Sequence, residues 1–386
     1  MTNAVIAGYV RTPFHFARKG ALASVRPDDL AATALRGLVD RTGIDPASIE
    51  DVLLGCAYPE AAQGNNIARI AILLAGLPIE VSGMTVNRFC GSSMSAIHIA
   101  AGQIAIGAGE AFVCGGVESM TMVPQGGFNF SPNPRFRSRD LPDAELMTEA
   151  YISMGETAEN VAAQYGVSRA DQEKLAFASQ QKAAAAQAAG RLAGEIVPVT
   201  TPDGTIVDLD GCLRPQTTLE GLAGLKPAFR PDGSVTAGTA SPLTDGASAT
   251  LVCTEAFAKA NGLEILARIR AVASAGCPPE IMGMGPVPAT LKALARAGLS
   301  VADIDVFEIN EAFGSQAVAC MRELGVDEAR VNLDGGGIAI GHPLGATGAR
   351  ITGKAAQILK RDGKSLAVST QCIGGGQGVA TVLEAV

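Results

Sequence analysis

The stretch ALRGLVDRTGIDPASI, residues 34 to 49, returns in outline as ATLKALARAGLSVADI, residues 289 to 304. Arg296, Gly298 and Ile304 stand 255 positions after Arg41, Gly43 and Ile49. Each copy reads as an alanine- and leucine-rich helix, a glycine stop and a short loop. Each then enters a short apolar run, DVLLG from Asp51 and VFEIN from Val306. The offset continues further along the chain. CGSSMSAI from Cys90 falls opposite GATGARIT from Gly345, and AFVCGG from Ala111 falls opposite LAVSTQ from Leu366. Helix-loop-strand units look alike in many α/β proteins, but here order and spacing persist over about 80 residues. The pattern predicts two halves of one topology, each alternating strand and helix, with the short apolar runs as buried parallel strands.

The material between the copies has a different texture. The expected division is 1–118 for an N-terminal half, 119–265 for an inserted loop domain and 266–386 for a C-terminal half, with part of 240–265 returning to the first half. The insertion opens on VPQGGFNFSPNPRFRSRD, which has loop composition. A helix is predicted over 168–190: SRAD offers a capping box, alanine fills the interior, and Gly190 ends it. The stretch from Arg214 to Ser248 is rich in turns and hydroxyls and reads as ligand-facing loops.

Composition narrows the function classes. A formal net charge of −8 argues against nucleic acid as the main partner, so an anionic ligand needs a local basic patch. No apolar run reaches the length of a membrane span. The start, MTNAVIAGYVRTP, reads as a strand and turn and not as a secretory leader; the end, ATVLEAV, reads as a final strand. The 8 cysteines form no C-x-x-C and the histidines number 3, so no metal site or disulfide framework is expected and the setting is expected to be cytoplasmic.

Four motifs carry the chemistry. In NRFCGSSM, Cys90 precedes a predicted buried helix whose N–H groups and dipole are expected to favour thiolate and lower its pKa. The same residue reads equally as a small buried hydrophobe. NEAF, from Asn310, closes the strand VFEI at the carboxyl edge of a sheet, where α/β ligand sites form; helix capping by Asn310 is the plainer alternative. In GHPLG, His342 is fixed between glycine and proline, whereas His15 reads as a loop residue and His98 as a satisfied core residue. In QCIGGGQG, Cys372 ends a strand and enters glycines whose N–H groups can hold an oxyanion, or simply make a turn. Together they supply a nucleophile, a base, a second proton carrier and oxyanion donors, the set acyl transfer requires.

NRFCGSSM, NEAF, GHPLG and CIGGGQG occur in the order found in thiolases, and the chain resembles that family over its whole length, in particular the degradative 3-ketoacyl-CoA thiolases. LDGGGIAIG departs from the family pattern at Asp334 and Gly337, where asparagine and alanine are more usual, and is expected to alter hydrogen bonds beside His342. The resemblance implies a five-layered α-β-α-β-α fold of two similar halves with an inserted loop domain. It implies thiolysis of 3-ketoacyl-CoA in fatty-acid β-oxidation, with Cys90 as acyl carrier, His342 as its base and Cys372 as the second acid and base. Asn310 would help hold the enolate, and the N–H groups of Cys90 and Gly374 the tetrahedral oxyanion. CoA contacts carry over to Met154, Arg214, Thr218, Phe229, Ala240 and Ser241, with Ser153 where the family has a histidine. CoA and acyl-CoA are substrates and no cofactor is implied. A homodimer or homotetramer, or the thiolase part of a larger β-oxidation assembly, is expected. Arg135, Arg137 and Arg139 read as a solvated face, a subunit contact or a weak attractor for CoA phosphates. A biosynthetic acetoacetyl-CoA thiolase, a ketoacyl synthase and an inactive thiolase-like lipid-binding protein are the alternatives. A synthase would pair its cysteine with two histidines, or a histidine and an asparagine, and an inactive chain would have lost a reactive residue.

Overall fold

The computed structural model describes residues 3–137 and 149–386. Its strands are β1 Ala4–Arg11, β2 His15–Phe16, β3 Asp51–Gly55, β4 Ser82–Val86, β5 Ala111–Ser119, β6 Val199–Thr200, β7 Ile206–Val207, β8 Thr244–Thr254, β9 Ala267–Gly276, β10 Val306–Ile309, β11 Leu366–Ile373 and β12 Gln377–Glu384. The α-helices are α1 Pro27–Thr42, α2 Ile67–Leu74, α3 Ser92–Ala105, α4 Met154–Gln164, α5 Arg169–Ala188, α6 Leu219–Ala223, α7 Glu255–Ala260, α8 Pro286–Ala297, α9 Gly314–Leu324, α10 Gly337–Ile340 and α11 Thr347–Asp362.

The repeat survives as structure. β3 and β10, α3 and α11, and β5 and β11 each begin 255 residues apart. The shared punctuation is local chemistry. Helices α1 and α8 open on proline, whose fixed φ suits a first turn, and close on glycines in the left-handed region, Gly43 at φ 69° and Gly298 at φ 68°. In the insertion, Ser168 and Asp171 form the predicted capping box, and α5 ends before Gly190 at φ 72°.

Among the described residues, ten strands make one mixed sheet in the order β10-β11-β12-β9-β1-β8-β5-β3-β4, with β2 on β8. β3 is parallel to β4 and β5, and β10 to β11, as the apolar runs predict. The inner strands β8, β1, β9 and β12 are antiparallel, which the alternating pattern did not predict. The cause is visible in the second half: β11 reverses into β12 through Gly374, Gly375 at φ 79° and Gly376 at φ 83°, and so tight a return can only give an antiparallel neighbour. In the first half the corresponding link from β5 to β8 is residues 120–243. The two half-sheets meet through the short β1–β9 pairing, Val5 with Arg268 and Ile6 with Ala267.

Helices α3 and α11 lie between the half-sheets, α1 and α2 cover the first, and α8 and α9 cover the second, giving the five layers. The middle layer is packed to backbone distance. A Cβ on Gly348 would lie 2.4 Å from the Met94 nitrogen, so only glycine lets the first turn of α11 rest on that of α3. Beside it, the Ala349 N–H donates to Ser93 Oγ at 2.9 Å. The loops that precede these two helices, one carrying Cys90 and one His342, are thereby brought to the same end of the middle layer.

Candidate active site

Cys90 stands two residues before α3 on a strained turn. Phe89 has φ 43°, a region that costs a non-glycine residue about 1 kcal/mol or more. The turn is held from both sides: the Phe89 N–H donates to Asn87 Oδ1 at 2.9 Å, and Ser92 Oγ donates to the Phe89 carbonyl at 2.5 Å. Gln371 Nε2 donates to the Cys90 carbonyl, tying this turn to β11. The N–H groups of Gly374 and of Cys90 itself are directed at the Cys90 sulfur.

The thiol does not behave as its position suggests. Burial pushes Cys90 up to about 12, assisted by the negative charge of Glu118 and opposed by the two N–H groups. The expected lowering does not come through: the loss of water around the half-buried sulfur outweighs the N–H groups aimed at it. Cys372, on β11, is 1% exposed and is also pushed well up, first by burial and then by the neighbouring sulfurs of Cys90, Cys320 and Cys277. Both thiols rest protonated.

His342 is buried, and burial together with the Arg350 charge lowers it to about 3. Its tautomer follows from hydrogen-bond accounting. Thr347 Oγ1 donates its one hydrogen to the Pro343 carbonyl at 2.9 Å and lies 2.6 Å from His342 Nδ1. With that hydrogen spent, the hydroxyl accepts from Nδ1–H. Nε2 is left unprotonated, facing Asn310 Nδ2 at 3.4 Å. Thr244 Oγ1 accepts from the His342 N–H at 3.0 Å and anchors the loop to β8.

Asn310 follows β10, and its N–H donates to the Thr370 carbonyl at 3.0 Å, two residues before Cys372. It does not cap the next helix, whose N-cap is Phe313. Asp334 and Gly337 behave differently from each other. The Asp334 carboxylate turns away from His342 to Arg191, Lys354 and Arg361, so the expected disturbance beside His342 does not arise from it. Gly337 does face the site: a Cβ there would sit 2.8 Å from Asn310 Oδ1.

The residues assigned to CoA fall into two groups. Met154 opens α4 and shares an apolar cluster with Ala240, Phe313 and Cys372. Phe229 packs edge-on against Phe313 at 5.9 Å, Ala240 bridges to Phe313, and Ser241 Oγ donates to the Ala312 carbonyl at 3.0 Å. Arg214 and Thr218 lie on the loop and cap around α6. Burial lowers Arg214, whose Nε is buried without a partner among the described residues. Thr218 Oγ1 accepts from Gly221 N–H at 3.0 Å as the cap of α6. Ser153 caps α4 through the Glu156 N–H. Arg135 follows a turn in which its N–H donates to Asn133 Oδ1 at 3.0 Å; Arg137 ends a single 3-10 turn, and Arg139 lies outside the described residues.

The other two histidines are settled by their neighbours. His98 Nε2 meets Thr381 Oγ1 at 2.8 Å, and burial with Arg88 and Arg296 lowers it to about 3. His15 is in β2 and not in a loop, with Nδ1 accepting from Ala21 N–H and Nε2 on the Leu209 carbonyl. Thr347, Thr244, Gln371 and Glu118 were missed from sequence. An acid in the apolar run AFVCGGVES was the one available signal, for Glu118.

Residues 4–256 match the family model for the thiolase N-terminal domain and 263–385 that for the thiolase C-terminal domain. The chain belongs to the thiolase family. This thiolase is 47% identical to the 3-ketoacyl-CoA thiolase of Bacillus subtilis (strain 168) and 47% identical to that of Pseudoalteromonas translucida (strain TAC 125), with all of each chain covered. A crystal structure of the Bacillus anthracis acetyl-CoA acetyltransferase superposes with a TM-score of 0.90 at 41% identity, covering 100% of this thiolase and 99% of that chain.

Proposed function

We propose that this thiolase cleaves 3-ketoacyl-CoA with CoA, giving acetyl-CoA and an acyl-CoA shortened by two carbons, in fatty-acid β-oxidation in the cytoplasm. The observation that carries the reading is one constellation: two thiols held toward their protonated form, the first near enough to raise the second, N–H groups aimed at the first, and an imidazole whose Nε2 carries no proton.

The steps balance on these residues. His342 Nε2 takes the Cys90 proton as the sulfur attacks the 3-keto carbon, and the N–H groups of Cys90 and Gly374 receive the oxyanion. Each such donor is worth about 2.7–4 kcal/mol in a water-poor site. The C2–C3 bond breaks, leaving the acyl group on Cys90 and an acetyl-CoA enolate held near Asn310 and His342. Cys372 gives its proton to C2. The thiolate left on Cys372 then deprotonates incoming CoA, whose sulfur takes the acyl group. Cys90 leaves with the proton stored on His342, and both thiols are restored. A neutral imidazole and two thiols form the resting state this cycle needs.

CoA would lie along Met154, Phe229, Ala240 and Ser241 toward Cys372, with Arg214 and Thr218 at the adenosine end. Arg214 suits that place because its half-buried guanidinium has no carboxylate partner among the described residues. Within this reading 119–265 is the loop domain that carries the CoA contacts, and the working form is a homodimer or homotetramer. The reaction is reversible, and the likeness to an acetyl-CoA acetyltransferase supports acetoacetyl-CoA synthesis as the second reading.

Mixing the protein with acetyl-CoA, digesting it and reading the Cys90 peptide by mass spectrometry tests the chemistry. A mass increase of one acetyl group on Cys90 is expected, and an unmodified peptide at saturating acetyl-CoA overturns the proposal. Thiolysis rates across 3-ketoacyl-CoA chain lengths then separate the degradative from the biosynthetic reading.

A further inference from the structure

Glu118, the last residue but one of β5, has 0% exposure, and no cation pairs with it among the described residues. Its carboxylate is instead a meeting point of N–H groups: Ala57 at 2.8 Å, Tyr58 at 3.2 Å, Gln63 Nε2 at 2.8 Å and Gly345 at 2.9 Å, with the Cys56 thiol at 3.7 Å. Gly345 belongs to the loop that carries His342. That loop lies on the ends of β3 and β5 at backbone distance: a Cβ on Gly345 would stand 2.6 Å from the Val117 carbonyl and 2.7 Å from that of Gly55. The Cys56–Tyr58 segment reaches the other loop. Asn87 Nδ2 donates to the Ala57 carbonyl at 3.1 Å, Asn87 Oδ1 accepts from Phe89 N–H at 2.9 Å, and the Tyr58 and Phe89 rings are 6.1 Å apart.

From this geometry we propose that Glu118 is a positioning residue that sets the loop of His342 against the loop of Cys90. The proposal rests on the acyl-transfer reading above for what those two loops do. The side chain type matters. Four N–H donors converge on two oxygens, which a carboxylate satisfies with acceptors alone, whereas glutamine must turn an NH2 toward a donor. Burying a carboxylate without a cation is costly and persists only where such donors replace water. The charge has a second effect, because it opposes ionisation of Cys90 and so favours a thiol there. Glu118, Tyr58, Cys372 and the N–H groups of Gly374 and Cys90 act electrostatically around Cys90, and His342 is the base that the acyl-transfer reading sets beside it.

The test is Glu118→Gln beside Glu118→Asp, each checked for folding by circular dichroism. Two readouts are taken: steady-state thiolysis, and the rate at which iodoacetamide alkylates Cys90 at pH 8 without substrate. Glu118→Gln is expected to lower kcat by about 10- to 100-fold with KM within about twofold, the scale of a small misplacement of reacting groups. It is expected to raise the alkylation rate roughly threefold or more, because the charge opposing thiolate is gone. Glu118→Asp keeps the charge but shortens the reach, so kcat falls while alkylation stays at the parent rate. Parent-like turnover in either variant overturns the proposal, as does a Glu118→Gln protein whose alkylation rate does not rise. Should Glu118→Gln fail to fold, the kcat of Glu118→Asp decides. Alkylation needs no particular reaction, so its outcome is separable from failure of the thiolysis reading, which the acetyl adduct on the parent protein reports.

Discussion

Thr347 Oγ1 lies 2.6 Å from His342 Nδ1 and gives its own hydrogen to the Pro343 carbonyl. One methyl-bearing hydroxyl thus chooses which ring nitrogen is available for chemistry. Thr347→Val keeps the shape and removes the acceptor, leaving a buried Nδ1–H unpaired at a cost of about 1–3 kcal/mol. The ring is then free to rotate or change tautomer. We expect kcat to fall by about 10- to 100-fold with little change in KM, and Thr347→Ser to restore most of it. A Thr347→Val enzyme with parent kcat would show that the tautomer is set by something else.

The protonation state of Cys90 gives a second expectation. Burial raises this thiol to about 12 and lowers His342 to about 3, which holds both groups toward their neutral forms around neutral pH. The sign is clear: thiolate appears only as pH rises toward the upper limit, and imidazolium only as pH falls toward the lower one. Alkylation of the resting enzyme by iodoacetamide, read on the Cys90 peptide, should keep rising from pH 7 to pH 10 without levelling. A plateau above pH 7 would mean that the helix terminus has won over burial after all.

Cys372 carries a separate burden from Cys90, and its removal should separate two half-reactions. Cys372→Ser leaves the proposed nucleophile Cys90, its proposed base His342 and the N–H groups of Cys90 and Gly374 in place, so Cys90 should still become acetylated from acetyl-CoA. The hydroxyl is a far weaker acid and base than a thiol, so exchange of the acetyl α-protons with deuterated water should fall by about 100-fold or more. Proton NMR of the acetyl methyl signal follows this directly. Exchange at the parent rate removes Cys372 from its assigned place.

How much of this was legible in the sequence depends on how local the cause is. Proline at the start of α1 and α8 and left-handed glycine at their ends act within a few residues, so the repeat could be read at sight. Cys90, Asn310, His342 and Cys372 stood out because glycine, proline or a strand end isolates each of them. Glu118 did not, because its meaning lies in Gly345, 227 residues away. The direction of the Cys90 shift was misread for the same kind of reason: a helix terminus is visible in sequence, but the depth of burial that overrides it is not. The antiparallel inner strands escaped the alternating pattern because one half replaces a three-glycine turn by residues 120–243.

The last expectation concerns what holds the halves and the insertion together. Arg11 on β1 pairs with Glu195 at 2.7 Å and Asp210 at 2.6 Å, both from the long link between β5 and β8; Lys354 on α11 pairs with Glu195 at 2.5 Å and with Asp334 at 3.3 Å. Burial alone would raise the Glu195 and Asp334 carboxyls, yet Lys354 and its neighbouring arginines hold both below the usual carboxylate range. Carboxyls depressed in the folded state contribute stability above their unfolded pKa, and that contribution is lost as pH falls through their folded values. Thermal stability should therefore drop steeply below about pH 4, with the loss concentrated where the acids are protonated. Lys354→Met removes the cation both acids share and leaves buried carboxylates undercompensated, a defect worth about 3–5 kcal/mol. Melting curves at pH 7 and pH 4 provide the check. The variant should melt well below the parent at pH 7, and the gap should narrow at pH 4, where protonation has already removed part of what Lys354 stabilises. A gap that is the same at both pH values would assign the loss to packing of the lysine stem and not to its charge.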